Sequence, residues 1–166
     1  MRKLTLVPLA AMAFLAACAG ADINQPPVDY IPTQTLNEVG TTSFTVRTYS
    51  RAGGERNELS GVSCKFQGKG FHSSFVTPAV VAAPNMQLRT PPASVTCTYN
   101  GVTKTQVLKP YNKTLYDIEH NGASIGANAG LLGAIIGGAI ASASASKRDT
   151  SVDVWAYHDA RVEFGQ

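Results

Sequence analysis

The sequence is poor in charge, in cysteine and in tryptophan. Charged residues make up 15% of its 166 residues, Cys occurs three times and Trp once. No run of like charge appears. Fourteen basic and eleven acidic residues are scattered, and Lys147-Arg148 is the one adjacent basic pair beyond the first three residues. Phosphate binding needs a concentrated basic face, so this pattern argues against a nucleic-acid partner. There is no phosphate-binding loop and no dinucleotide fingerprint, so no motif calls for a cofactor or a small-molecule substrate. His72, His120 and His158 stand far apart, and neither they nor the cysteines have the spacing of a metal site. His158 reads as an exposed residue beside Asp159.

The strongest positive signal is at the N-terminus. Met1-Arg2-Lys3 is a short basic region, and Leu4 to Ala17 is uncharged and mostly apolar. That stretch has the length of a signal peptide and is too short to span a bilayer. It ends in Leu15-Ala16-Ala17-Cys18. These four residues resemble the lipobox of bacterial lipoproteins; the bland alternative is a core helix that happens to end in Cys. The resemblance implies cleavage before Cys18, a diacylglycerol on its thiol and acylation of its new amine. Two or three acyl chains anchor a protein stably where one does not. The next residue is Ala19 rather than Asp, which in such lipoproteins implies sorting to the outer membrane. The expected location is the cell envelope, with a lipid anchor in the outer membrane. Without Arg2 and Lys3, twelve basic residues face eleven acidic ones.

Lipidation of Cys18 leaves Cys64 and Cys97. In an oxidising compartment a disulfide is expected in preference to two buried thiols. Closing a loop of roughly 34 residues stabilises a fold by about 3–4 kcal/mol in the chain-entropy model. The chain after Cys18 is long enough for one modest core with attachments.

Residues 18–40 read as a lipidated tether, rich in Pro, Asn and Gln and without a sustained period. Fully extended, some 22 residues reach roughly 70 Å. Residues 41–118 read as a β-domain of short strands and turns. Phe44, Val46 and Thr48 share one face of a first strand, broken by Gly53-Gly54. Val62, Cys64 and Phe66 share a face of the next, which ends at Gly68 and Gly70. Phe71 to Val76, closed by Pro78, and Val80-Val81, closed by Pro84, are further strand candidates. Pro91-Pro92 introduces Ser94 to Tyr99, with Val95, Cys97 and Tyr99 on one face, and Val102 to Leu108 returns after Asn100-Gly101. Period-2 alternation with turns about every ten residues predicts a mainly β fold, a small antiparallel β-sandwich. Both cysteines fall on apolar strand faces, where a bridge between facing strands would sit. A strict two-residue turn at Asn100-Gly101 pairs Cys97 with Lys104 and turns Lys104 and Gln106 inward. Either that turn is longer or the hairpin lies at a sheet edge.

The stretches G-V-S-C-K-F, F-V-T-P-A-V-V and P-P-A-S-V-T-C-T-Y-N-G resemble the PEGA-type β-domains of bacterial envelope lipoproteins. Residues 126–164 resemble, more weakly, the tail found in some of them. His158 stands where that pattern places Pro, and S-A-S-A-S-K-R-D-T-S-V-D is an addition. The resemblance implies a non-catalytic surface or assembly module whose partner is another envelope protein, a second copy or cell-wall material.

Residues 119–146 read as a Gly/Ala-rich apolar helix. Gly122, Gly126, Gly130, Ala134 and Gly138 fall on one face, and no charge occurs over 122–146. Small-xxx-small spacing permits close backbone approach, and the pattern resembles the glycine zippers of other outer-membrane lipoproteins. Three uses stay open. The helix packs its small face on the β-domain, or it self-associates, or it enters lipid. Six Leu or Ile residues contribute only about −0.3 to −0.6 kcal/mol each to insertion. Ser124 forms a G-x-S-x-G with a strand expected at Thr114 to Ile118 before it, and Asp153 and His158 follow in the order of α/β-hydrolases. That fold needs a parallel sheet with crossover helices, which the sequence does not supply, so no catalytic residue is assigned. Residues 147–166 read as the end of a mobile link and a closing strand, with Trp155 and Tyr157 opposite Val152, Val154 and Ala156.

Overall fold

The computed structural model describes residues 20–128 and 149–165. Eleven strands and one α-helix lie among them. In chain order they are β1 (Ile31–Pro32), β2 (Gly40–Ala52), β3 (Glu55–Leu59), β4 (Ser63–Gly68), β5 (Phe71–Val76), β6 (Ala79–Asn85), β7 (Ala93–Tyr99), β8 (Val102–Leu108), β9 (Pro110–Asn112), α1 (Lys113–Asn128), β10 (Trp155–Tyr157) and β11 (Ala160–Phe164). A five-stranded antiparallel sheet has the order β1-β5-β4-β7-β8. A second sheet is built on β2, which pairs with β3 and β6 antiparallel and with β11 parallel. β9 and β10 form a short ribbon of their own. The molecule is a small β-sandwich.

The inward faces are those the alternation predicts. Phe44, Val46 and Thr48 of β2 are buried, as are Val95 and Cys97 of β7 and Cys64 and Phe66 of β4. Phe66 sits at the centre, edge-on to Phe44 at 4.9 Å and to Tyr157 at 5.6 Å. Aromatic pairs at these separations add stabilisation beyond the area that they bury. Cys64 and Cys97 are bonded and are register partners on adjacent strands of one sheet, with Cα atoms 4.1 Å apart. The bridge therefore runs along a sheet, not between facing ones.

The Asn100-Gly101 turn is a strict two-residue turn. Both residues have positive φ, 48° and 77°, as a type I′ hairpin requires, and Cys97 pairs with Lys104. β8 is an edge strand, so Lys104 escapes to solvent. Gln106 turns inward at that edge, where its Oε1 accepts the Arg161 N–H of β11 at 3.0 Å. An inward polar side chain thus becomes the clasp between the edges of the two sheets.

Four expectations change. The Glu55–Leu59 strand was not foreseen, since E-R-N-E-L has little β-propensity; pairing with β2 imposes it. Thr114 to Ile118 is helical, not extended, because α1 starts at Lys113. The expected closing strand is divided. Thr150–Val152 is a short 3₁₀ turn, β10 pairs with β9, and a bend at His158-Asp159 carries β11 across to β2. Ala156 and Tyr157 are then both buried, because β10 is covered on both faces. Finally, much of the tether is laid on the domain. Val28 bridges Val81, the Thr33 N–H bonds the Gly70 carbonyl at 2.8 Å, and Leu36 is buried in the core. Backbone pairing at an open sheet edge outweighs the low local propensity of this segment.

Candidate functional site

The densest chemistry outside the core lies where β9, α1 and the β10–β11 bend meet. Asn112 organises the junction. Its Oδ1 accepts the Leu115 N–H at 2.9 Å, which makes it the N-cap of α1. Its Nδ2 donates to Oδ2 of buried Asp153 at 2.6 Å. The Lys113 N–H donates to the Val154 carbonyl at 2.8 Å, and the Thr114 hydroxyl accepts the Val154 N–H at 2.9 Å. The free N–H groups of the first turn are thereby satisfied from β9 and from the segment leading into β10.

This frame collects four rings. Tyr111 of β9 stacks face to face on His158, with centroids 3.8 Å apart and planes 5° from parallel. Tyr116 stacks on His120 one helical turn later, at 3.9 Å and 15°. The two stacks meet at right angles: Tyr116 lies edge-on to Tyr111 at 5.4 Å and to His158 at 5.8 Å. Asp159 fixes the bend that carries His158, because its Oδ1 accepts the Thr45 N–H of β2 at 2.7 Å. The Tyr116 carbonyl can only accept, so the His120 Nδ1 at 3.0 Å carries the proton there. Tyr116 is 39% exposed, and His120 and His158 are exposed. Burial raises the Tyr111 hydroxyl above its ordinary pKa, with Lys113 acting in the opposite sense. The hydrogen bond to Asp117 raises the Lys113 ammonium.

Beside the rings lies an open groove of about 580 Å³, lined by Asp29, Thr41, Ser43, Lys113, Asp117 and Val154 among others. Exposed ring faces and imidazole nitrogens, near a groove that mixes Pro27, Ala82 and Val154 with polar side chains, suit recognition of amphipathic surfaces. Among the described residues, no group of three or more His, Cys, Asp and Glu is placed to hold a metal ion.

The sequence-based residues fall as follows. Cys64 and Cys97 form the disulfide. Gly122 and Gly126 lie in α1; Gly130, Gly138 and the lipidation residue Cys18 lie outside the described residues. Ser124 falls well inside α1 rather than at a strand-to-helix turn. His120 and His158 were not singled out as site residues, and neither were Tyr111 and Tyr116. His120 and His158 both join the cluster through Tyr116. One local signal pointed there: Asn112 three residues before Leu115, followed by Tyr116 and His120 at i,i+4. Among the described residues, no helix is long and apolar enough to cross a membrane.

Comparison of the chain with models of protein families, with curated proteins and with solved structures gave no match.

Proposed function

We propose that this chain is a non-catalytic, lipid-anchored protein of the cell envelope whose β-domain recognises a partner through Tyr111, Tyr116, His120 and His158. The lipobox-like L-A-A-C supports the anchor at Cys18 and the outer-membrane location. The stretches that resemble PEGA-type domains support a surface or assembly role, with an envelope protein or cell-wall material as the partner. The observation that carries the recognition role is the cluster itself: two segments far apart in the chain, the continuous β9–α1 stretch and the β10–β11 bend, bring four rings together at the surface. Asn112 and Asp159 hold that arrangement with side-chain hydrogen bonds.

The test is photocrosslinking in the envelope from a reporter at position 158, with one at Thr103 as the distant control. A discrete adduct from 158 that disappears in Tyr116→Ala is the expected result. Equal adducts from both positions, or none from 158, would refute the role of the patch. Cys18→Ala is expected to release the chain from the membrane fraction.

A second reading is self-association through the glycine run. It is favoured by the continuation of α1 through Gly122 and Gly126 to Asn128. Adducts of the chain with itself, in place of adducts with another molecule, would support it.

A further inference from the structure

Between Cys18 and the first described residue there are only two peptide steps, a span of about 7 Å at most. Gly20 does not lead away from the domain. A Cβ built on it would lie 2.7 Å from the Arg47 guanidinium and 2.9 Å from Glu58. The Ala21 N–H donates to the Glu58 carboxylate at 3.0 Å. From there the chain is tied down again at Val28, Ile31 and Thr33. A lipid on Cys18 therefore cannot stand off at the end of a long tether. It lies close to wherever Arg47 and Glu58 point.

They point outward from the second sheet. Phe44, Val46 and Thr48 face the core, so Arg47, Tyr49 and Arg51 take the outer face. Register puts Arg161 and Glu163 of β11 beside Arg47 and Tyr49, and Glu58 and Arg56 of β3 beside Tyr49 and Arg51. Four arginines share that face with two glutamates: Glu58 pairs with Arg47, and Glu163 with Arg51 and Arg56. Asp159, at the head of β11 with its Oδ1 on the Thr45 N–H, adds a third carboxylate, so four arginines meet three acids and the excess is a single positive charge; guanidinium groups match phosphate geometry. Thr41 and Ser43 continue the same face to the start of α1 at Lys113 and Thr114, across the groove. The N-terminal attachment and the root of the helix that enters the glycine run thus lie on one side of the molecule.

We propose that this outer face of the second sheet, centred on Arg47, Tyr49 and Arg56, lies against an anionic phospholipid surface. The five-stranded sheet then faces away, with Lys65, Thr96, Thr98, Thr103 and Thr105 toward the medium. The proposal rests on the lipid-anchor reading of Cys18.

The test uses the full lipidated chain on phosphatidylethanolamine–phosphatidylglycerol vesicles carrying a headgroup spin label. In a Trp155→Phe background, one reporter is Tyr49→Trp and the other is Thr98→Trp. The sheets of a sandwich pack about 10 Å apart, so the two reporters differ in depth by more than that. Several-fold stronger quenching at 49 than at 98 is expected. Equal quenching, or the reverse order, on a chain whose mass shows acylated Cys18 overturns this proposal alone. A chain without acyl groups on Cys18 overturns the anchor reading and this proposal with it. If a tryptophan variant fails to fold, radical footprinting of the unsubstituted lipidated chain makes the same comparison. Vesicles must protect Tyr49 and leave His72, on the outer face of β5, unprotected; the opposite pattern overturns the proposal.

Discussion

Asn112→Ala is the most informative single change to the fold around the candidate site. Asn112 makes two bonds of different kinds, and each has a known scale. Loss of the N-cap bond to Leu115 costs about 1 kcal/mol. Loss of the bond to the buried Asp153 carboxylate costs about 1.5–3 kcal/mol, the range for bonds to charged groups. Together the change is expected to destabilise the domain by about 2.5–4 kcal/mol, or about 8–15 °C in Tm for a domain of this size. The natural assay is denaturant unfolding of a chain beginning at Ala19, followed by far-ultraviolet circular dichroism and by fluorescence of Trp155. The ring currents of His158 in the NMR spectrum report the local consequence, because its stack on Tyr111 depends on the same junction. Asn112→Asp separates the two bonds. It keeps an N-cap acceptor but loses the amide donor and sets a second carboxylate against Asp153. That variant is expected to be weaker than the parent at neutral pH and to recover in part as the carboxylates are protonated. A loss below about 1 kcal/mol for Asn112→Ala, a cap's share alone, would refute the reasoning. So would an Asn112→Asp chain as stable as the parent at neutral pH.

Two further predictions concern the core. Replacing Cys64 and Cys97 together by Ala removes a cross-link spanning 33 positions and is expected to lower stability by about 3–4 kcal/mol in denaturant titrations; an unchanged midpoint would contradict the chain-entropy account. Burial pushes the Tyr157 hydroxyl above its ordinary pKa of 10.0, so the folded state keeps a proton that the unfolded chain releases. Stability is thus fully present below about pH 10 and falls as pH rises above it. Tyr157→Phe gives up the bond to the Pro91 carbonyl, costing about 1 kcal/mol at neutral pH. It is then expected to lose less stability on going to alkaline pH than the parent. Equal alkaline slopes in denaturant titrations of the two chains would refute this.

Strands were legible where both chemistry and period were local. Val62, Cys64 and Phe66 alternate with polar neighbours and are buried, and Phe71–Val76 and Val102–Leu108 keep the bounds that their turns suggest. Glu55–Leu59 was illegible because its strand conformation comes from the β2 edge that it pairs with. The ring cluster was illegible because 46 positions separate Tyr111 from His158, with a helix root between them. No spacing rule joins residues that only a shared junction brings together.

By itself the sequence determined the β-sandwich, since alternation and turn residues act over a few residues, and it offered Cys64 and Cys97 as a pair whose place side by side on β4 and β7 the fold decided. The sequence also offered a two-residue turn at Asn100-Gly101, because Gly and Asn adopt positive φ more readily than other residues, but only the edge position of β8 decided that register against a longer turn. The tertiary structure decided where the lone polar residues go. It made Gln106 a clasp, Asn112 a cap and a donor to Asp153, and His158 a stacking partner. It also decided that residues after Gly20 lie along the domain instead of spanning open water. The physical reason is the same in each case. A buried or edge polar group takes whichever partner packing brings within reach, and packing is a property of the whole chain.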